Sequence, residues 1–210
     1  MKIKFFNYRV EFQARGAGHI HGVLWMDIEE IDKTFPGLKD IMYSLRHNEH
    51  LGFEETAVLE RFVDTFVSCS LKDSNVKNIV KEVQVHRHTK TCKKKGTVCR
   101  FGFPRFPSKQ TIIAQPLLQG ELSEEEFEEK KSDAKKTLEK VKGVLDEAKD
   151  LFGEDLSTVS IEDILRKACV TSEDYYNALS ISENGKVIVL KRSPEEMYVN
   201  NYNPEWLEAW

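Results

Sequence analysis

The chain has 210 residues, of which 40% are hydrophobic and 31% charged, and its formal net charge at pH 7 is −4. This composition predicts a soluble globular protein with room for one ordinary domain and an inserted subdomain. It excludes a membrane-spanning chain, because no apolar run approaches the ~20 residues that a span needs. The first residues also lack the apolar core of a secretory signal.

The net charge hides a strong asymmetry along the chain. From Lys81 to Lys109, nine Lys or Arg residues stand against one Glu, a net charge of +8, whereas the segment from Glu121 to Asp155 carries −6. A phosphate backbone would be attracted to the basic segment. The four cysteines of a chain without a secretory signal predict thiols or metal ligands rather than a disulfide framework.

The N-terminal pattern predicts a β-hairpin. Val10 and Phe12 alternate with polar residues, five small or flexible residues at 14–18 turn the chain, and His19 and His21 follow at strand spacing. Residues two apart on a strand share a face, so we expect both imidazoles on one side, with the carboxylate of Glu11 beside them from the neighbouring strand. Two imidazoles and one carboxylate predict a Mg²⁺ or Mn²⁺ site with open positions for water and phosphate oxygen.

The next elements are predicted to be helices at 38–47, 53–71 and 75–85. In the second of these, apolar residues fall at helical spacing and form one stripe that could pack on a sheet. An antiparallel sheet with helices packed on it is the α+β arrangement that this order implies.

A cluster of histidines and cysteines follows. His86, His88, Cys92 and Cys99 offer four ligands within fourteen residues, which suits tetrahedral zinc. The spacing is not that of a standard zinc finger, and the alternative is a basic loop with two unrelated thiols. The phenylalanines that alternate with Arg100 and Arg105 either stack nucleic-acid bases or belong to the core.

The last third is predicted to be mainly helical. Ser123 opens a capping box for a long helix to about residue 152, whose apolar stripe favours packing on its own domain over a coiled-coil partner. Short helices at 160–168 and 172–179 and a strand at 185–192 follow, and then the segment Tyr198–Leu207, rich in Asn and containing Pro204.

Three of these stretches carry a family resemblance. The wording Glu-Phe-Gln-x-Arg-Gly-x-x-His-x-His at 11–21 resembles the HUH endonuclease core of Helitron-type rolling-circle replication initiators, the Helitron helicase-like domain. The His/Cys segment that runs into Arg-Phe-x-Phe-Pro and the Asn-Pro segment near the end are similar to the same group. The resemblance implies an HUH/Rep-like domain over 1–120, with a zinc-like segment at 85–107, that continues at 183–210. The mainly helical segment 121–182, whose acidic helix has no match in the family, is interpreted as an insertion.

The resemblance also implies partners and a location. Single-stranded DNA would be bound by exposed basic residues, for which we name Arg15, Arg87, Lys93, Lys94, Arg100 and Arg105. A helicase domain or subunit would follow downstream in the parent protein. We expect an intracellular protein, and a nuclear one if its source is eukaryotic.

The family's nucleophilic tyrosine has no counterpart here. Tyr198 and Tyr202 have the spacing of a two-tyrosine motif, but the Asn and Pro residues around them favour a turn over a helix. Tyr175 and Tyr176 are adjacent, so we expect them to point to opposite sides. We therefore expect no catalytic residue in this chain, and a fragment or a decayed copy of a larger nicking protein. The alternatives are a zinc-containing single-stranded nucleic-acid binding module without catalysis and a metalloenzyme of another class.

Overall fold

The computed structural model describes residues 3–12, 18–72, 75–89, 92, 99–118, 120 and 122–208. The chain divides into two compact units, Met1–Leu59 and Glu60–Trp210. This boundary lies inside a predicted helix, where no break in the residue pattern indicates one. The assignment of 1–120, 121–182 and 183–210 to parts of an HUH-type protein stays a prediction.

The first unit contains the predicted hairpin. Its elements are β1 (Ile3–Phe12), β2 (Gly18–Met26), α1 (Ile28–Thr34) and α2 (Leu38–Arg46). The two strands pair antiparallel, which confirms the hairpin, and α2 confirms the first predicted helix. Helix α1 was not predicted from the sequence. It buries Ile31, and its acidic first turn and Lys33 in its last turn suit the helix dipole.

Helix α3 (Phe53–Phe66) confirms the second predicted helix but ends five residues early. The chain leaves the helix to make a two-way backbone pair, in which the N–H of Ser68 donates to Tyr202 O and the N–H of Tyr202 donates to Ser68 O, both at 2.8 Å. A residue far along the chain therefore ends the helix, which the local pattern could not show.

The second unit is built from short elements around one long helix. These are α4 (Lys77–Ile79), a π-helical turn (Val80–Gln84), β3 (Ile112–Ala114), α5 (Glu124–Asp146), α6 (Ala148–Phe152), α7 (Ile161–Ala168), α8 (Ser172–Ser180), β4 (Val187–Val189), a 3₁₀ turn (Pro194–Glu196) and α9 (Pro204–Glu208). Strands β3 and β4 pair antiparallel, with Ile113 opposite Ile188.

The long helix packs on its own unit, as predicted. Ser123 caps α5 with a complete capping box, and Val141 and Leu145 are fully buried in a core shared with α7 and α8. The helix does not run unbroken to residue 152, because the chain turns at Glu147 before α6. Gly153, with φ of 92°, then ends α6.

Mixed helices and small antiparallel sheets confirm the α+β class. In the parts of the chain that the structure describes, each sheet has two strands, β1 with β2 and β3 with β4. The HUH/Rep-like arrangement stays a prediction.

Candidate metal centre

Backbone pairing places the two histidines of the predicted zinc site side by side. After the π-helical turn, Val85 pairs with Val199, and the N–H of His86 donates to Tyr198 O at 2.8 Å. The chain is extended here, and residues two apart on an extended chain point the same way. His86 and His88 therefore meet, with Nε2 of the first 3.3 Å from Nδ1 of the second.

Backbone hydrogen bonds also bring the two cysteines together. The N–H of Cys92 donates to Thr89 O at 3.1 Å, which turns the chain just after His88. The N–H of Arg100 then donates to Cys92 O at 3.0 Å, so the residue after Cys99 is held against Cys92. Both thiols are almost fully enclosed, with 1% and 5% of Cys92 and Cys99 exposed.

The four side chains form one compact donor group, called the His/Cys group below. One donor atom from each of His86, His88, Cys92 and Cys99 can be chosen so that all lie within 4.8 Å of one another, and such a group could hold a metal ion. The sulfur of Cys92 is 3.5 Å from Nδ1 of His88, and that of Cys99 is 3.4 Å from Nε2 of His86. Zinc bound tetrahedrally at about 2.05 Å from nitrogen and about 2.3 Å from sulfur separates two nitrogens by ~3.3 Å, and a nitrogen and a sulfur by ~3.6 Å.

The local electrostatics suit metal ligation at two of these residues. Burial raises the pKa of the Cys99 thiol, but hydrogen bonds from the backbone N–H groups of Phe101 and Phe103, a hydrogen bond with Cys92 and the charge of Lys142 together lower the pKa overall. Burial, followed by the charge of Arg105, lowers the pKa of His86 and favours its neutral imidazole. Thiolate and neutral imidazole are the forms that bind zinc.

Aromatic rings hold the histidines in place. The ring of Phe103, which is 3% exposed, stacks on His86 with centroids 4.4 Å apart. The ring of Tyr198 meets His88 edge-on at 5.7 Å. The sequence did not identify either ring as support for the metal group, although Phe103 lies four residues after Cys99 and Tyr198 belongs to the Asn-Pro segment.

The predicted DNA-binding residues fall into two sets. Arg87, Arg100 and Arg105 are exposed, close in sequence to the His/Cys group. Arg15, Lys93 and Lys94 lie outside the described residues.

The sequence left two interpretations open for the phenylalanines near Arg100 and Arg105, base stacking or a place in the core. Phe103 is buried beside the cysteines and Phe106 packs against the core of the second unit, whereas Phe101 is 47% exposed.

The backbone pairing of the hairpin has the register that the predicted Mg²⁺ or Mn²⁺ site requires. Glu11 is paired with His19, and Arg9 is paired with His21 on the same ribbon. The side chains of Glu11, His19 and His21 lie outside the described part of the structure. The site itself therefore stays a prediction.

The four tyrosines considered as nucleophiles, at 175, 176, 198 and 202, all lie in the described part of the second unit. Tyr198 lies in a turn and Tyr202 in an isolated bridge, so neither is helical, as expected. The hydroxyl of Tyr202 donates to Ser70 O at 2.6 Å, and that of buried Tyr175 donates to Pro107 O at 2.7 Å. Our expectation that Tyr175 and Tyr176 point to opposite sides was wrong, because both lie on α8 with ring centroids 5.5 Å apart.

Comparison of the chain with protein-family models, curated proteins and solved structures gives no match. Within the described ranges, no helix combines the length and the apolar character that crossing a membrane requires.

Proposed function

We propose that this chain is a zinc-stabilised, single-stranded DNA-binding domain of a Helitron-type replication initiator. The observation that carries the proposal is the convergence of His86, His88, Cys92 and Cys99 within 4.8 Å, immediately before the Arg-Phe-x-Phe-Pro stretch. The family itself is proposed from the three sequence resemblances.

The donor set favours a structural zinc. Two thiolates and two imidazoles complete a tetrahedron and leave no position for water or substrate, which is the property of structural rather than catalytic zinc sites. The surrounding segment is strongly basic, and the buried apolar cluster beside these ligands is small. A metal bond to four side chains would supply the missing free energy.

The charge of the same segment supports DNA as the binding partner. The basic stretch 81–109 carries a net charge of +8 although the whole chain is acidic, and its three described arginines near the His/Cys group are exposed. Attraction to phosphates, with release of counterions, gives salt-dependent binding to DNA. Exposed aromatic side chains beside such charges favour unpaired bases over a duplex.

In the full initiator, the hairpin would supply the metal site that takes part in DNA strand cleavage. Glu11, His19 and His21 would hold Mg²⁺ or Mn²⁺, which would polarise a scissile phosphodiester. The helicase partner and the intracellular or nuclear location belong to the same proposal, and they rest on the resemblance alone.

The alternative is a zinc-containing single-stranded nucleic-acid binding module without catalysis. The closed set of four ligands and the bonded hydroxyls of Tyr175 and Tyr202 favour this function for the second unit. Both proposals include a structural zinc and the binding of single-stranded nucleic acid. They differ in whether a metal ion at the hairpin contributes to the function.

Fluorescence anisotropy with a labelled single-stranded oligothymidylate tests the proposal. We expect binding that weakens steeply with salt and exceeds binding to a duplex of the same length. A chelator should abolish it, and Zn²⁺ should restore it. Further gain on adding Mn²⁺ supports the initiator, whereas indifference to Mn²⁺ supports the module without catalysis. Equal binding before and after complete removal of zinc would contradict both.

A further inference from the structure

A hollow of about 390 Å³ opens beside the His/Cys group. It is lined by His86, Arg100, Phe101, Phe103, Arg105 and Asn200. This set contains two guanidinium groups, three aromatic rings and no carboxylate. The hollow is thus positively charged and partly apolar. A nucleotide carries both an anionic phosphate and an aromatic base, so it fits this lining better than a purely charged or a purely apolar molecule does.

The rings of this hollow have different roles. Phe103 is buried, with His86 stacked on its ring and the guanidinium carbon of Arg105 4.9 Å from its centroid. Phe101 is 47% exposed, and its ring meets His86 edge-on, with centroids 5.7 Å apart. The guanidinium carbon of Arg100 lies 4.6 Å from the Phe101 centroid. An unpaired base can stack on such a ring or on the plane of the guanidinium beside it.

The guanidinium groups of Arg100 and Arg105 supply the positive charge of the hollow. Among the residues that the structure describes, no carboxylate forms an ion pair with Arg100 or Arg105. The carbon at the centre of the Arg105 guanidinium is 4.9 Å from the centroid of Phe103. Gly102 permits this position, since a Cβ there would lie 3.2 Å from Nη1 of Arg105 and the φ of 75° disfavours other residues.

We infer that this hollow binds one nucleotide of a single strand, with the base against Phe101 and the phosphate between Arg100 and Arg105. The inference rests on the proposed function and adds the location of one nucleotide. His86 belongs both to the His/Cys group and to the wall of the hollow. Metal and nucleotide therefore share one residue, and loss of the metal should disturb the hollow directly.

The test compares variants with matched controls in the same anisotropy assay, using the full chain and a labelled oligothymidylate. Phe101→Leu should weaken binding by at least about fivefold, because the stacked base loses its aromatic partner. Phe101→Tyr keeps the ring and should bind like the wild type. The control is Phe53→Leu, which changes a phenylalanine that is 88% exposed in the other unit and should have no effect.

The charges are tested by salt dependence. The double variant Arg100→Gln/Arg105→Gln should lower the slope of log K against log salt by about 0.7 for each phosphate that the protein no longer neutralises. Arg166→Gln is the control, because Arg166 is an exposed residue of α7 that pairs with Asp163 at 3.0 Å. Zinc content and thermal unfolding are measured for every variant, and both should match the wild type.

The outcomes separate this inference from the proposed function. If the wild type does not bind the strand even at low salt, the proposed function fails and the subsite fails with it. If the wild type binds but Phe101→Leu and the double arginine variant bind as well as their controls, the subsite is overturned and the proposed function stands. A loss of affinity in Phe101→Tyr as large as in Phe101→Leu would overturn the stacking.

Discussion

The ammonium group of Lys142, on helix α5, donates a hydrogen bond to the carbonyl oxygen of Pro104, 2.5 Å away. It also reaches Gly102 O at 3.5 Å. These carbonyls belong to the loop that follows Cys99. The long acidic helix α5 therefore contacts, through one lysine, the loop that follows Cys99.

The first prediction concerns this bond. Lys142→Met keeps the unbranched apolar stem of the side chain and removes the ammonium group, so it leaves two carbonyls without this donor. We expect the free energy of unfolding to fall by about 1–3 kcal/mol, measured by denaturant unfolding. Lys140→Met, a change at an exposed position of the same helix, should change it by less than ~0.5 kcal/mol. Equal stability of the two variants would show that the bond contributes nothing.

The second prediction is a count of reactive thiols at pH 8. Exposed Cys169 should react at once with a chromogenic disulfide reagent. Cys69 should not, because burial raises its pKa to about 11 and leaves only about one thiolate in a thousand at this pH. Cys92 and Cys99 should react only after a chelator removes the metal. We therefore expect one fast thiol before chelation and three after it. Three fast thiols in the untreated protein would contradict a metal at these cysteines.

The third prediction is that none of Tyr175, Tyr198 and Tyr202 becomes attached to DNA. The hydroxyls of Tyr175 and Tyr202 donate to backbone carbonyls, and Tyr198 lies half-buried against His88. A tyrosine nucleophile must be positioned beside the scissile phosphate, and proximity can be worth ~7–11 kcal/mol. Labelled single-stranded DNA, Mn²⁺ and a denaturing gel test this. An adduct that disappears in Tyr198→Phe or Tyr202→Phe would refute it.

The fourth prediction is divalent metal binding by the hairpin. Calorimetric titration of the zinc-loaded chain with Mn²⁺ should show one site in the wild type and none in His19→Ala/His21→Ala. The paired register of Glu11 with His19 and of Arg9 with His21 motivates it. His47→Ala/His50→Ala, in the same unit but outside the hairpin, is the control and should retain the site. Equal titration of all three proteins would show that the hairpin histidines bind no metal.

Local patterns predicted the elements of this protein better than they predicted what the elements contact. The hairpin, the capping box at Ser123 and the buried stripe of α5 follow from residue order, because spacing and capping act within a few residues. The end of α3 does not follow from it, because the pairing of Ser68 with Tyr202 joins residues far apart in the chain.

The candidate site shows the same limit. The donor types of the His/Cys group predicted a tetrahedral zinc site, although their spacing left a basic loop with two unrelated thiols as the alternative, and the structure brings the four residues together as a group that could hold a metal ion. The supports of that group were not predictable, since Tyr198, which contacts His88, and Lys142, which bonds the loop after Cys99, both come from distant segments. Whether Phe101 or Phe103 was exposed also could not be decided from the sequence, because both residues stand in the same short run of arginine, glycine and proline.

Substitution of Co²⁺ at the His/Cys group shows whether these four residues form a tetrahedral metal site. Protein purified without added metal should contain about one zinc per chain, and exchange of that zinc for Co²⁺ should give the visible absorption of a tetrahedral site together with thiolate-to-metal charge transfer. The double variant Cys92→Ser/Cys99→Ser should lose both the zinc and the spectrum, whereas Cys69→Ser/Cys169→Ser should keep them. A wild-type chain that folds without zinc and gives only the weak spectrum of octahedral Co²⁺ would contradict the zinc site and the function proposed from it.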